Sequence, residues 1–135
     1  MITTTAANAV LNLLLGGTNI NVPTSYYVGL STTALTSNGT GATEPVGNGY
    51  ARVSMANNKS NFSSATVATL TNLSQIAFPE ATPAGWGTIS YVFLADASTG
   101  GVVWYYEALT TTRLIQANAT FIFVAGSLTF KMINT

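Results

Sequence analysis

The chain has 135 residues and a formal charge of zero, with four Lys plus Arg balanced by four Asp plus Glu, and neither Cys nor His. That length suits one domain with a real core, built without disulfides or a thiolate metal site and lacking the commonest general base and metal ligand. Charged residues make up 6% of the chain, where an ordinary soluble domain has about 25%; this leaves no basic patch for nucleic acid and little repulsion between copies.

Residues 3–15 read as the only helix, closed at 16 by Gly16-Gly17. A Thr at position 4 or 5 is placed to cap it, and Ala6, Val10, Leu11, Leu14 and Leu15 recur at helical spacing, with Asn8 and Asn12 on the other side. A helix this short is marginal in water and has to dock, either on its own domain or on a neighbouring subunit. Its apolar run is about half a membrane span and lacks the basic residues that precede a signal-peptide core, so no membrane partner is expected.

From residue 24 to 133 the pattern is strands and turns. Residues 25–31 are rich in Tyr and Val and read as a strand. Residues 32–49 carry Asn38-Gly39, Gly41, Pro45 and Asn48-Gly49 and read as a long loop. Residues 50–55 make the next strand, with Arg52 and Ser54 opposite Val53 and Met55. One or two strands are expected over 66–78. Residues 89–95 and 102–108 make the clearest hairpin, turning through Asp96 and Gly100-Gly101, and 120–124 pairs with 128–133 across Ala125-Gly126-Ser127. The whole predicts an all-β fold: a single-domain antiparallel β-sandwich or small barrel over 1–135, with a short N-terminal helix at 3–16 and a β body at 24–133.

Chemistry is sparse. A glycosidase needs two carboxylates facing one cleft, and only Glu44, Glu80, Asp96 and Glu107 exist. Glu44 and Glu80 each adjoin a proline, Asp96 reads as a turn residue, and Glu107 lies on a strand within reach of Arg113 or Lys131. No His stands ready to activate a serine, no phosphate-binding Gly loop has the right context, and one acid makes a poor calcium site. The expectation is therefore no catalytic residue, no cofactor and no metal: a protein that is not an enzyme. Glu44 and Arg52 bracket a loop and are expected to pair, within the subunit or across an interface. Trp104, mid-strand, reads as core, while Trp86, between two glycines, reads equally as core or as an interface anchor or sugar platform. The expected interface residues are Val10, Leu11, Leu14, Glu44, Arg52 and Trp86.

An ordered set of segments resembles a known family. Tyr27-Val28-Gly29-Leu30-Ser31-Thr32-Thr33, Thr43-Glu44-Pro45 with Gly49-Tyr50-Ala51-Arg52-Val53, and Phe78-Pro79 with Gly85-Trp86-Gly87-Thr88-Ile89 are similar to those of small phage virion proteins, often labelled tail-fibre proteins. Asp96 with Gly100-Gly101, Ala108-Leu109-Thr110 and Ala125-Gly126-Ser127-Leu128 continue the match in order, and residues 81–84 depart from it. The resemblance implies a structural role in the particle. The favoured expectation is a capsid decoration, or cement, protein on the outer surface of the head, its partners being the major capsid protein and copies of itself in a dimer or trimer. A tail component, such as a fibre-attachment or baseplate-periphery domain, is the second reading, and a carbohydrate-binding module using Trp86 the third.

Overall fold

The computed structural model describes residues 1–132. Helix α1 (Thr4–Leu14) is followed by β1 (Ser25–Ser31), β2 (Val53–Ala56), β3 (Thr69–Thr71), β4 (Ile76–Ala77), β5 (Gly87–Ala95), β6 (Val103–Ile115), β7 (Ile122–Phe123) and β8 (Thr129–Lys131). The architecture is mostly β and antiparallel throughout, sandwich-like rather than a closed barrel. One layer is a four-stranded sheet in the order β2-β1-β5-β6; two short ribbons, β3-β8 and β4-β7, supply the other strands.

Alternation along the central strands explains the layering. In β1, Val28 and Leu30 point into the main core, and in β5, Val92 and Leu94 do the same. They meet Phe62, Ile76, Phe78, Phe121, Phe123, Leu128 and Phe130 from the ribbons and their flanks, and many of these rings meet edge to face. The other face of β5 presents Phe93 and Ala95 to a second cluster with Leu35, Val103 and Tyr106. Leu35 comes from the long loop, which thus covers the sheet's back. Both faces of β5 are buried, which explains its nearly continuous apolar run.

The expected hairpin of residues 89–95 and 102–108 is present as β5 and β6. Strand β6 runs further than expected, to Ile115: Tyr91 pairs with Ala108 but Ile89 pairs with Arg113, so residues 109–112 bulge out and the strand then rejoins. Strand β2 begins later than expected, at Val53, because Tyr50 and Arg52 are diverted into a polar cluster described below.

The second expected hairpin is corrected. Strands β7 and β8 do not pair with each other: β7 pairs with β4, and β8 with β3. The physical reason is Asn72, fully buried between them. Its Oδ1 accepts from Leu128 N at 2.9 Å, and its Nδ2 donates to Val124 O at 3.0 Å and to Ser74 O at 2.9 Å. Its backbone N–H donates to Leu128 O and its carbonyl accepts from Gly126 N. Asn72 thus takes up the groups through which the two strands were expected to pair. That expected strand also extended to Ile133, which lies outside the described residues.

The helix is capped by Thr3, not by Thr4 or Thr5. Thr3 Oγ1 accepts from Ala6 N at 3.3 Å and donates to Val103 O at 2.9 Å, so one hydroxyl caps the helix and ties it to β6. Thr4 N also donates to Ser37 O of the long loop at 2.9 Å. The start of α1 is therefore fixed to the body from two sides.

Candidate docking surface

Glu44 and Arg52 do pair, and within the subunit. Arg52 Nε donates to Glu44 Oε1 at 2.9 Å and Nη2 to Glu44 Oε2 at 2.8 Å, a bidentate fork. Its Nη1 donates to Ala97 O at 2.7 Å and to Gly100 O at 2.8 Å, the carbonyls of the β5–β6 turn. The Arg52 side chain is only 6% exposed, and its guanidinium lies 5.0 Å from the centroid of the Phe93 ring. The hydrogen bonds that Arg52 donates to Glu44, and the charge of that carboxylate, raise the Arg52 pKa further against the opposing effect of burial.

This stack begins with a glycine. Gly29 is paired with Phe93 across β1 and β5, and a Cβ at Gly29 would lie 2.2 Å from Phe93 Cζ. Gly29 makes room for the ring, and the ring carries Arg52. Tyr50 completes the cluster: its hydroxyl donates to Glu44 Oε1 at 2.8 Å and accepts from Leu30 N at 2.9 Å. Burial is the main cause that raises the Tyr50 pKa well above the usual tyrosine value. The cluster locks the long loop, β1 and the β5–β6 turn together.

Trp86 is buried at 6% exposure within the core, edge-on to Tyr50 at 5.2 Å and to Phe78 at 6.4 Å. Its indole N–H donates to Asn48 O at 2.9 Å. It therefore has a core role and offers no open ring face for a sugar. Residues 81–84, where the family pattern is broken, are knitted into the same region: Ala81 is fully buried and exchanges backbone hydrogen bonds with 118 and 119. Trp104, expected in the core, is only half-buried and donates to Asp96 Oδ2 at 3.3 Å. Asp96 is a turn residue as expected, its Oδ1 accepting from Val102 N at 2.8 Å. Glu107 meets the Met1 amino group at 3.1 Å and the Tyr105 hydroxyl at 2.8 Å, with no ion pair to Arg113 or Lys131 among the described residues.

The helix residues are different. Val10, Leu11 and Leu14 lie on a separate element from Glu44, Arg52 and Trp86. Ala6 alone of α1 is buried, Val10 is half-buried, and Leu11, Leu14 and Leu15 are 53%, 70% and 82% exposed. Helical geometry gives the reason. Ala6 and Val10 share one face and turn to the body, whereas Ala7, Leu11 and Leu14 repeat at four and three residues about a quarter-turn away. The sequence stripe is thus two stripes, one seated and one open.

Beside α1 runs an apolar groove of about 570 Å³, lined among others by Val10, Ile20, Tyr26, Leu70, Trp104 and Met132, with Lys59 and Lys131 also on its wall. Sequence reading missed it, because its walls come from distant segments. Half-buried Tyr26 and Trp104 are aromatic residues that mark its wall. Among the described residues, no three His, Cys, Asp or Glu side chains come together as metal ligands would, and no helix is long and apolar enough to cross a membrane.

No curated protein matches the chain. A family described as Podophage GP4 fiber I protein gp80 matches residues 1–131. That match spans nearly the whole sequence, in agreement with the resemblance carried by the ordered turn and strand segments, and the chain belongs to this family of phage virion structural proteins, labelled as tail fibre.

Proposed function

We propose that the chain is a non-enzymatic building subunit of the phage tail's fibre apparatus, and that it is held in the particle through α1. The family's description as a fibre protein is in keeping with this reading. The observation that carries docking through α1 is the Leu11–Leu14–Leu15 stripe, exposed on a helix that has neither an acidic first turn nor a basic last turn. Apolar residues clustered on a surface helix raise the free energy of an isolated monomer's surface and mark an interaction site. The charge-poor surface opposes close packing weakly.

The capsid-decoration reading uses the same surface: a compact body with an apolar helix is also what a cement subunit presents to the major capsid protein. Copy number separates the two. A closed ring of tail subunits holds on the order of tens of copies, while a shell lattice repeats on the order of hundreds. Quantitative mass spectrometry of purified particles, relative to the major capsid protein, is expected to return the lower range. The higher range would move the chain to the head and overturn the tail reading.

A further inference from the structure

We infer that the occupant of the groove beside α1 is the leucine stripe of a second copy of this chain. The inference rests on the reading of α1 as a docking element and names its partner. Three observations converge. First, stripe and groove are both apolar, and both lie on or beside the same helix: Leu11, Leu14 and Leu15 are exposed, while Val10 on the neighbouring face lines the groove. A copy that offers its stripe to a neighbour therefore offers its groove as well, and the exchange closes on itself.

Second, the areas discriminate between arrangements. The three exposed leucines leave roughly 350 Å² of apolar surface per copy. Two stripes packed on each other would bury about 700 Å² in total, which is the scale of a crystal contact. Two stripes each seated in the other copy's groove cover the groove lining as well, roughly half as much area again. That raises the burial to roughly 1,100 Å², beyond the scale of a crystal contact and past the ~1,000 Å² that a specific interface has to clear.

Third, the charges fit. The last turn of α1 has no basic residue, so no side-chain cation within the helix offsets the partial negative charge of its carbonyl end. The groove supplies two cations, Lys59 and Lys131. A neighbour's helix seated stripe-first with Leu14 and Leu15 inside brings that end to them. The helix itself is uncharged over its length, and the chains have zero formal charge, so nothing in net charge opposes self-association.

The absence of Cys from the sequence makes the test clean. Two full-length single-cysteine chains are prepared: Leu14→Cys on the stripe and Ala65→Cys on the groove wall, both exposed positions. Within a complex, effective concentrations reach the mM scale, so the mixed disulfide is expected to form at least ~10-fold faster than either chain links to itself. Self-linking of Leu14→Cys at the same rate as mixed linking would show stripe on stripe and overturn the inference. Absence of any rate excess, with circular dichroism showing both chains folded, would overturn it as well. The docking reading is judged separately, by incorporation of a Leu11→Asn/Leu14→Asn chain into particles. Loss of incorporation without cross-linking leaves α1 as the docking element and transfers its partner to another virion protein.

Discussion

The Glu44–Arg52 cluster and helix α1 were both marked by sequence as candidate interface, and the structure treats them in opposite ways. Around Arg52 every strong polar demand is met inside the subunit: a bidentate carboxylate, two turn carbonyls and a ring face. On α1 the demand is apolar and largely unmet, since only Ala6 is buried. The lesson is that a conspicuous ion pair in a charge-poor chain can be a staple for one fold. The interface is better sought where apolar surface is left uncovered. Charge is scarce here, with eight ionised side chains in total, and the most elaborate use of it lies in holding a loop to a sheet.

The contrast breaks down if removal of the staple leaves stability intact. Arg52→Ala strands Glu44 and two carbonyls and is expected to cost about 3–4 kcal/mol in urea unfolding; a cost below about 1 kcal/mol would make the cluster a surface feature. Gly29→Ala drives a methyl into Phe93, the ring beneath Arg52, and is expected to cost about 2–3 kcal/mol. Leu14→Asn is the counterpart on the helix. It is expected to change the chain's unfolding free energy by less than about 0.5 kcal/mol while altering its association, because Leu14 already faces solvent. A larger loss would mean that the stripe is seated on its own body.

Two smaller effects sharpen the picture. Val67 and Ala68 occupy the centre of a two-residue turn closed by Thr66 and Thr69, with φ of 50° and 54°, a geometry that favours Asn-Gly. Val67→Asn with Ala68→Gly is therefore expected to stabilise the chain by about 1 kcal/mol, read as a rise in the urea midpoint. The pKa of Tyr50 and of Tyr105 is raised, in each case mainly by burial. The unfolded chain therefore loses these protons first, and the contribution of these two tyrosines to stability is expected to be constant up to about pH 10 and to fall above it. Tyr50→Phe and Tyr105→Phe should each flatten that alkaline loss in pH-dependent unfolding curves.

Much of the frame was legible from local pattern. The helix, β1, the long loop, the β5–β6 hairpin and the role of Asp96 all follow from spacing and turn residues that act over a few positions. What was not legible depends on distant partners. Nothing near Asn72 says that it will enter the core and take the backbone groups of 124 and 128, so two adjacent strands that look like a hairpin are parted. Nothing near Trp86 says that Tyr50 and Phe78 will enclose it. The groove is illegible for the same reason, since α1, residues 57–70, Trp104 and Met132 meet only after folding. The leucine stripe was legible as apolar, but its division into a seated and an open face depends on how the Thr3 cap pins the helix to β6.

The most direct test of docking through α1 is the abundance of a Leu11→Asn/Leu14→Asn chain in purified particles, measured by quantitative mass spectrometry beside a thermal unfolding curve of the same chain. The expected result is an unchanged unfolding midpoint together with loss of most of the chain from the particle. Incorporation at the unsubstituted level would contradict it, and would move the docking surface away from the helix.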